Sequence, residues 1–544
     1  MCKRITNIVA RFWWGGDEFK RKMHWKKWCD IAVPKAIGGM GFRDFQLFNQ
    51  AMLAKQGWRL MTNPESLCAR VFRGKYFHGT DFLAARKKRN SSHVWRAILH
   101  GREALDKGLI KRVGDGSSIR AFEDPWIPEN MNGRPLFKLP TANVTMVEEL
   151  IDNELLCWDD GKLEVNFIDT DRRAIRQIPL GRAAEDTWAW TQENNGIFFV
   201  RSAYRLLASV QLASYPSGSA DSNGCWKKLW KLSVPPKVRS FWWRVIRKFV
   251  PARQVLKQRH MDRIAFCEAC GKEESIYHAL FECTWARLFW NDLKTYVDIK
   301  VPTLHPESWA MDLIDGTSLN EAEVCMIICG CWSIWNERNL RRHGEGGKSV
   351  TKSVRWVMQT CLDLAQAGRD KNKKMSKRKV QWKPPDQGVI KINTDAGFDQ
   401  NTMSGSTGLV VRDNQGGLLR AQAIWYNHAA NTRIMEAMAI RDGAKLAPER
   451  GYTRVIIESD AEEVVKLCND DGQNRADIMP ICQEIRDIRG AFSSCSISFI
   501  GRGANVAAHL CAKQASVDRR RCLWINYNPS FLADTLMSDC NPVV

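Results

Sequence analysis

No run of apolar residues in this chain is long enough to cross a membrane. The longest, Val324 to Trp335, is about a dozen residues, against the roughly 18–20 that a spanning helix needs. The N-terminus also lacks the apolar stretch and small-residue cleavage site of a secretory signal. Met1-Cys2-Lys3-Arg4 leads instead towards Phe12-Trp13-Trp14. Tyrosine is scarce, 8 residues against 23 tryptophans. Acidic residues are missing altogether from Trp226 to His260, where 11 Lys and Arg stand. No repeat at a solenoid period is visible. These absences argue against a membrane or secreted protein and predict an intracellular one, in nucleus or cytoplasm. Its 18 cysteines are then expected as thiols or metal ligands before disulfides.

What is present is a chain of 544 residues, 44% hydrophobic and 26% charged, long enough for several folded domains. The formal charge is +21, and it is uneven. From Asp386 onward there are 17 basic and 19 acidic residues, so residues before it carry 64 basic against 41 acidic. Such a surplus points towards nucleic acid, because Lys and Arg neutralise phosphates and release counterions. Between Trp226 and His260 the cations alternate with Trp226, Trp230, Phe241, Trp242, Trp243 and Phe249. Two readings are open for these rings: faces that stack on bases, or a helix core coated by cations, since Trp230, Val234, Val238 and Phe241 fall near helical spacing. The run Lys371 to Lys379, followed by Pro384-Pro385, reads as an exposed basic linker, and Ser214 to Gly224 as a break rich in Ser, Gly and Pro.

Cys267-x2-Cys270, His278 and Cys283 form a metal-ligand pattern. Two cysteines two residues apart reach one ion from a tight turn, which Gly271 eases. His278 and Cys283 fall at the start of a helix expected from Tyr277 to Leu293. Three thiolates and one imidazole suit a closed, structural Zn2+ site with no open position for catalysis.

After Pro385 the pattern becomes alternating strands and amphipathic helices. Val389–Asp395, Thr407–Arg412, Leu418–Trp425, Val455–Ile457 and Ser496–Ile500 read as five strands, with Asp413-Asn414-Gln415-Gly416-Gly417 as a hairpin turn. Helices are expected at Thr432–Leu446, with Thr432 as N-cap, and near 461–468, 478–489 and 505–514. In that order Asp395 ends the first strand, Glu436 lies in the first turn of the first helix, and Asp460 ends the fourth strand. Taken singly, each acid reads as a cap or surface charge. Three acids converging from strand ends and a facing helix make a pocket that is costly unless divalent cations fill it. Mg2+ accepts a few carboxylates and substrate phosphate.

Longer strings carry resemblances. Phe198–Tyr204, Leu229-Trp230-Lys231-Leu232 and Pro235-Pro236-Lys237-Val238, read on to Cys283, resemble the zinc-binding region that follows reverse transcriptase in plant non-LTR retroelements. Gly114–Ile119 with Glu123-Asp124-Pro125-Trp126 resembles the segment before it. Phe12–Gly16, His24-Trp25 and Gly38–Phe42 resemble the tail beyond the polymerase palm. Together they span roughly residues 8–345. A palm also needs an Asp pair on a hairpin. The adjacent pairs here, Asp159-Asp160 and Asp470-Asp471, run into Gly in turn-like sequence, so polymerase activity is not expected. Over 389–515, the strings Ile392–Gly397, Met435-Glu436-Ala437, Glu458–Ala461 and Asn505–Ala512 resemble type-1 ribonuclease H in its plant retroelement form. This implies Mg2+-dependent cleavage of the RNA strand of RNA–DNA hybrids by a two-metal mechanism, with Asp395, Glu436 and Asp460 as the metal-binding acids. Where many members carry a fourth acid, this chain has His509, which adds no negative charge for a second ion. A functional His509 and a helix residue covering the edge of the site both remain open.

The expected architecture is multidomain: a mainly helical or mixed N-terminal region with a small zinc site, then an α/β ribonuclease H-like domain on a five-stranded mixed sheet. The intervals are 1–110 (reverse-transcriptase remnant), 111–213 (connecting), 225–300 (zinc-binding), 301–368 (helical), 369–385 (linker), 386–520 (ribonuclease H-like) and 521–544 (tail). The expected cofactors are Mg2+ and structural Zn2+. The expected partner is nucleic acid, as hybrid, single strand or duplex. A catalytically weak or inactive nucleic-acid-binding protein is the alternative function.

Overall fold

The computed structural model describes all residues except 16–21, 129, 131, 182–184, 214–221, 300–301, 303–304, 306, 316–318, 346, 373–380, 449–450, 471–474 and 541–544. Most of the basic linker and of the Ser/Gly/Pro break, with Asp471, lie outside the described residues. The chain forms two compact units that do not follow chain order. One comprises Met1–Gln46 and Ala213–Ser376, the other Leu47–Leu212 and Lys377–Val544.

The first unit is helical. Its principal elements are α1 (Pro236–Ile246), α2 (Arg253–Gln258), α3 (Thr284–Tyr296) and α4 (Glu321–Arg342). Pro235-Pro236 opens α1 where a missing amide proton costs nothing. The apolar run Val324–Trp335 lies inside α4, which is buried along most of its middle turns, as expected of a helix apolar on all sides. Trp226, Phe241, Trp242, Trp243 and Phe249 are buried in one core with Phe289, Trp290 and Ile328. These rings are therefore core rather than base-stacking faces. Trp230 is half-buried, with the Lys35 ammonium 4.8 Å from its ring centre.

The second unit holds a mixed sheet built from β1 (Ile390–Asp399), β2 (Ser404–Arg412), β3 (Leu418–Tyr426), β4 (Arg454–Ser459), β5 (Ser494–Phe499) and β6 (Cys522–Ile525), in the order β6-β3-β2-β1-β4-β5. β1 to β3 form an antiparallel meander, and β4 and β5 run parallel to β1. The sheet thus has six strands, not five. Cys522–Ile525 pairs antiparallel with β3, so the interval expected as a tail contributes the edge strand and a helix. Four residues after Arg519-Arg520-Arg521 are too short to show a strand period.

Alternation along β2 sorts the helices onto two faces. Leu409 and Val411 pack with α5 (Thr432–Leu446), α6 (Glu462–Cys468) and α7 (Met479–Arg489). Val410 packs with α8 (Val506–Asp518) and α9 (Ser530–Cys540). Gly408 brings α8 in closely: a Cβ there would stand 2.2 Å from the Ala512 nitrogen and 2.3 Å from the Ala508 oxygen. In the same unit, Gly114 to Ser118 wrap a carboxylate. The amides of Gly114, Gly116 and Ser118 donate to Asp186 at 2.8–3.0 Å, so that string is a structural turn around an internal anion.

Candidate active site and metal centre

The register of β1 builds the acidic site. Thr394 pairs with Ser459 of the parallel strand β4, so the next residues, Asp395 and Asp460, emerge side by side. Asn431, not Thr432, caps α5: its side-chain oxygen accepts from the Ile434 amide at 2.9 Å. Glu436 is consequently the fifth helical residue, just beyond the first turn. One carboxylate oxygen from each of Asp395, Glu436 and Asp460 falls within 4.8 Å of the other two.

Three carboxylates this close, one buried and two half-buried, repel one another. Burial, reinforced by Asp460, pushes the Asp395 carboxyl up to about 7 against the pull of His509. Burial, then Asp395 and Asp460, pushes Glu436 up to about 9. Glu436 Oε2 is buried with no hydrogen-bond partner. A buried carboxylate oxygen that no hydrogen bond satisfies among the described residues, on a side chain grouped with two other carboxylates, fits a divalent cation.

Side chains around the acids fix their orientation. His509 Nδ1 lies 2.8 Å from Asp395 Oδ2, and its side chain is 67% exposed where that of Asp395 is 6%. Asn505, one helical turn earlier, donates to the Thr394 carbonyl at 3.0 Å and to Asp460 Oδ1 at 3.4 Å. Its own oxygen accepts from Asn393 at 3.3 Å. Asn393 Oδ1 in turn accepts from Trp382 Nε1 at 2.9 Å and from Arg412 at 3.0 Å. The buried Arg412 guanidinium stacks 3.4 Å from the Trp382 ring centre and pairs with Asp539 at 2.7 Å.

In the first unit, Cys267, Cys270, His278 and Cys283 also bring one ligand atom each within 4.8 Å of the others. Cys267 and Cys283 Sγ are 3.7 Å apart, and Cys270 Sγ is 3.3 Å from His278 Nε2. A tetrahedron with Zn–S bonds near 2.3 Å has edges of about 3.8 Å, so the set fits Zn2+. The Cys267 amide donates to the Lys272 carbonyl at 2.7 Å and Gly271 adopts φ +72°, closing the turn that aims both thiols inward. The expected helix Tyr277–Leu293 is broken. A π-turn spans His278–Glu282, Cys283 is extended (φ −59°, ψ 145°), and α3 begins at Thr284. That break is what turns the Cys283 sulfur back to the other three ligands. Glu282 lies 3.8 Å from His278 Nδ1, the outer partner a zinc-bound imidazole uses. Burial, with Cys283 adding, pushes the Cys267 thiol up to about 11, a cost that coordination to a cation reverses.

Two family models match the chain: "zinc-binding in reverse transcriptase" over residues 198–290 and "Reverse transcriptase-like" over 393–515. A "Putative ribonuclease H protein" of Arabidopsis thaliana is 28% identical over 488 residues, covering 86% of this chain and 76% of that protein. An uncharacterised mitochondrial protein of the same plant is 39% identical over 137 residues, 25% of this chain and 89% of that protein. The chain belongs to the plant retroelement-derived ribonuclease H-like proteins. Among solved structures, the N-terminal RNase H domain of a Mycobacterium tuberculosis protein, determined as a fusion with maltose binding protein, is similar at 18% identity. It covers 24% of this chain and 94% of that chain, with a TM-score of 0.23.

Both family matches enclose the residues singled out by pattern. The zinc-binding match contains all four Cys/His ligands, and the second match contains Asp395, Glu436, Asp460 and His509. Sequence reasoning missed the supporting side chains Asn393, Arg412, Trp382 and Asp539. Asn393 has a local signal, lying two residues before Asp395 on the same strand face. Trp382 and Asp539 have none, since each falls in an interval assigned to linker or tail.

Proposed function

We propose that this protein hydrolyses the RNA strand of RNA–DNA hybrids, with Asp395, Glu436 and Asp460 holding Mg2+. The observation that carries this reading is the convergence of three carboxylates, one of which, Glu436, has a buried oxygen with no hydrogen-bond partner among the described residues. When bound there, magnesium supplies Lewis-acid activation of phosphate and of the attacking water, by one ion or two. The chain's own residues do the rest. Asn505 orients Asp460, and His509 holds Asp395 through Nδ1. The Asn393–Arg412–Trp382 cluster keeps β1 rigid beneath them. Zn2+ in the Cys267, Cys270, His278 and Cys283 set has a structural role, since four protein ligands leave no position for substrate. The match to a zinc-binding family and the name of the plant relative support both assignments.

One observation favours a second reading, a catalytically weak nucleic-acid-binding protein. His509 Nδ1, 2.8 Å from Asp395 Oδ2, occupies an oxygen that a cation would use. The two readings separate when purified protein is incubated with an end-labelled hybrid and Mg2+, beside Asp395→Asn. Cleavage of the RNA strand by wild type alone supports hydrolysis. Hybrid bound by both and cut by neither overturns it in favour of binding.

A further inference from the structure

We infer that the outer edge of the cysteine–histidine turn is a binding site for single-stranded nucleic acid, with Phe266 as the stacking face and Lys257, Arg259, Arg263 and Lys272 as phosphate contacts. The inference does not rest on the hydrolytic reading, because its residues all lie in the other compact unit and it concerns binding alone.

Met261, Ile264 and Phe266 are 52%, 53% and 57% exposed, whereas the intervening Ala265 and the following Cys267 are buried. That alternation belongs to an extended segment with one face in the core and one in solvent. The segment is held firmly. Glu274 N donates to Ala265 O at 2.8 Å, Cys267 N donates to Lys272 O at 2.7 Å, and Phe266 is bridged to Glu273. Asp262 ties its start by accepting from the Ile264 amide at 3.1 Å. A solvent-facing aromatic side chain on a backbone already held in place has only its own rotamers left to order when a base stacks on it.

Charge decides the occupant. Lys257, Arg259, Arg263 and Lys272, all within nine residues of Phe266 along the chain, are exposed. Two of the nearby carboxylates are engaged: Asp262 pairs with Arg342 at 3.0 Å, and Glu268 pairs with Arg253. Among the described residues, Glu273 is the one carboxylate from 257 to 273 outside an ion pair. Three exposed apolar side chains interspersed in sequence with four exposed cations that form no ion pair among the described residues complement a polyanion with exposed base faces. A duplex hides those faces in its own stack, so the single strand is the form that fits.

The test uses the full-length protein, with zinc content verified, and a fluorescent single-stranded DNA of about a dozen nucleotides. DNA avoids any cleavage, and no Mg2+ is added. An abasic strand of equal length presents the same phosphates without bases. Phe266→Ala is expected to weaken binding of the base-bearing strand at least fivefold, the lower end for loss of one stacked base, and to leave the abasic strand within twofold. The double variant Arg263→Ala/Lys272→Ala is expected to weaken both strands and to reduce the salt slope by about 1.4, at about 0.7 per cation on a single strand. Phe266→Leu keeps apolar bulk without a flat ring and should show the same selective loss as Phe266→Ala. The proposal is overturned if Phe266→Leu binds the base-bearing strand like wild type, because a base would then not be stacking on the ring. It is equally overturned if the double variant leaves the salt slope unchanged.

Discussion

Replacing Glu436 with glutamine removes one of three crowded carboxylates while keeping its shape. In the folded chain the Glu436 carboxyl is pushed up to about 9 by burial and by Asp395 and Asp460; in the unfolded chain it titrates near the ordinary 4.5. A carboxyl raised in this direction contributes stability that is complete below the unfolded value and is lost as pH rises towards the folded one. Each pH step of one between those limits costs about 1.4 kcal/mol, so wild type without divalent cations should lose roughly 4 kcal/mol between pH 5 and pH 8 from this group alone. Asp395 shares the same repulsion, so the difference between wild type and Glu436→Gln should be about 2–4 kcal/mol. Urea titrations read by hydrogen exchange in peptides from β1 and β2 report on this unit without averaging over the rest of the chain. The expected outcome is equal stability at pH 5 and a more stable Glu436→Gln at pH 8, with wild type recovering when Mg2+ is added. Parallel loss of stability in both proteins across that range would refute the electrostatic account of the site.

Cys267→Ser should lower bound zinc from about one per chain to near none and loosen α3, checked by metal analysis and by exchange of amides in 265–296. Gly408→Ala should cost about 1–3 kcal/mol or more by overpacking, because its Cβ would meet α8 backbone at 2.2–2.3 Å; a urea midpoint unchanged from wild type would contradict that packing. Arg412→Met should cost about 1–3 kcal/mol by leaving the half-buried Asp539 without its cation and Asn393 Oδ1 without one of its donors, whereas Arg412→Met with Asp539→Leu should recover part of the loss, as read in a double-mutant cycle.

Much of the α/β module was legible because its strands alternate and its helices carry caps or Gly and Pro punctuation. The helix expected at Thr432–Leu446 forms over those bounds. The strands expected at 407–412 and 418–425 extend to Ser404–Arg412 and Leu418–Tyr426. The acids were legible because a strand end and a helix start constrain where a side chain points. What escaped depended on distant partners. β6 is a strand only because β3 offers it an edge. Trp382 matters only because Arg412 and Asn393 meet it across the fold. The break at Cys283 is invisible to periodicity, since apolar spacing runs straight through it while ligand geometry dictates its dihedrals. The rings between Trp226 and Phe249 left two readings open because composition cannot say which side of a helix faces water.

The interleaving of the two compact units has a consequence for how the chain is made. It passes from one unit to the other near residues 46, 212 and 376, so neither unit is itself a contiguous stretch of chain. On a ribosome adding about 5–20 residues per second, Met1–Gln46 must wait on the order of half a minute before the helices that cover it have all emerged. The sheet holding Asp395 stays open at one edge until residues 522–525 arrive. The first unit can therefore close only once residue 376 has emerged, and the second later still, which makes the nascent chain, with its tryptophan-rich core still uncovered, the stage at which chaperones matter most.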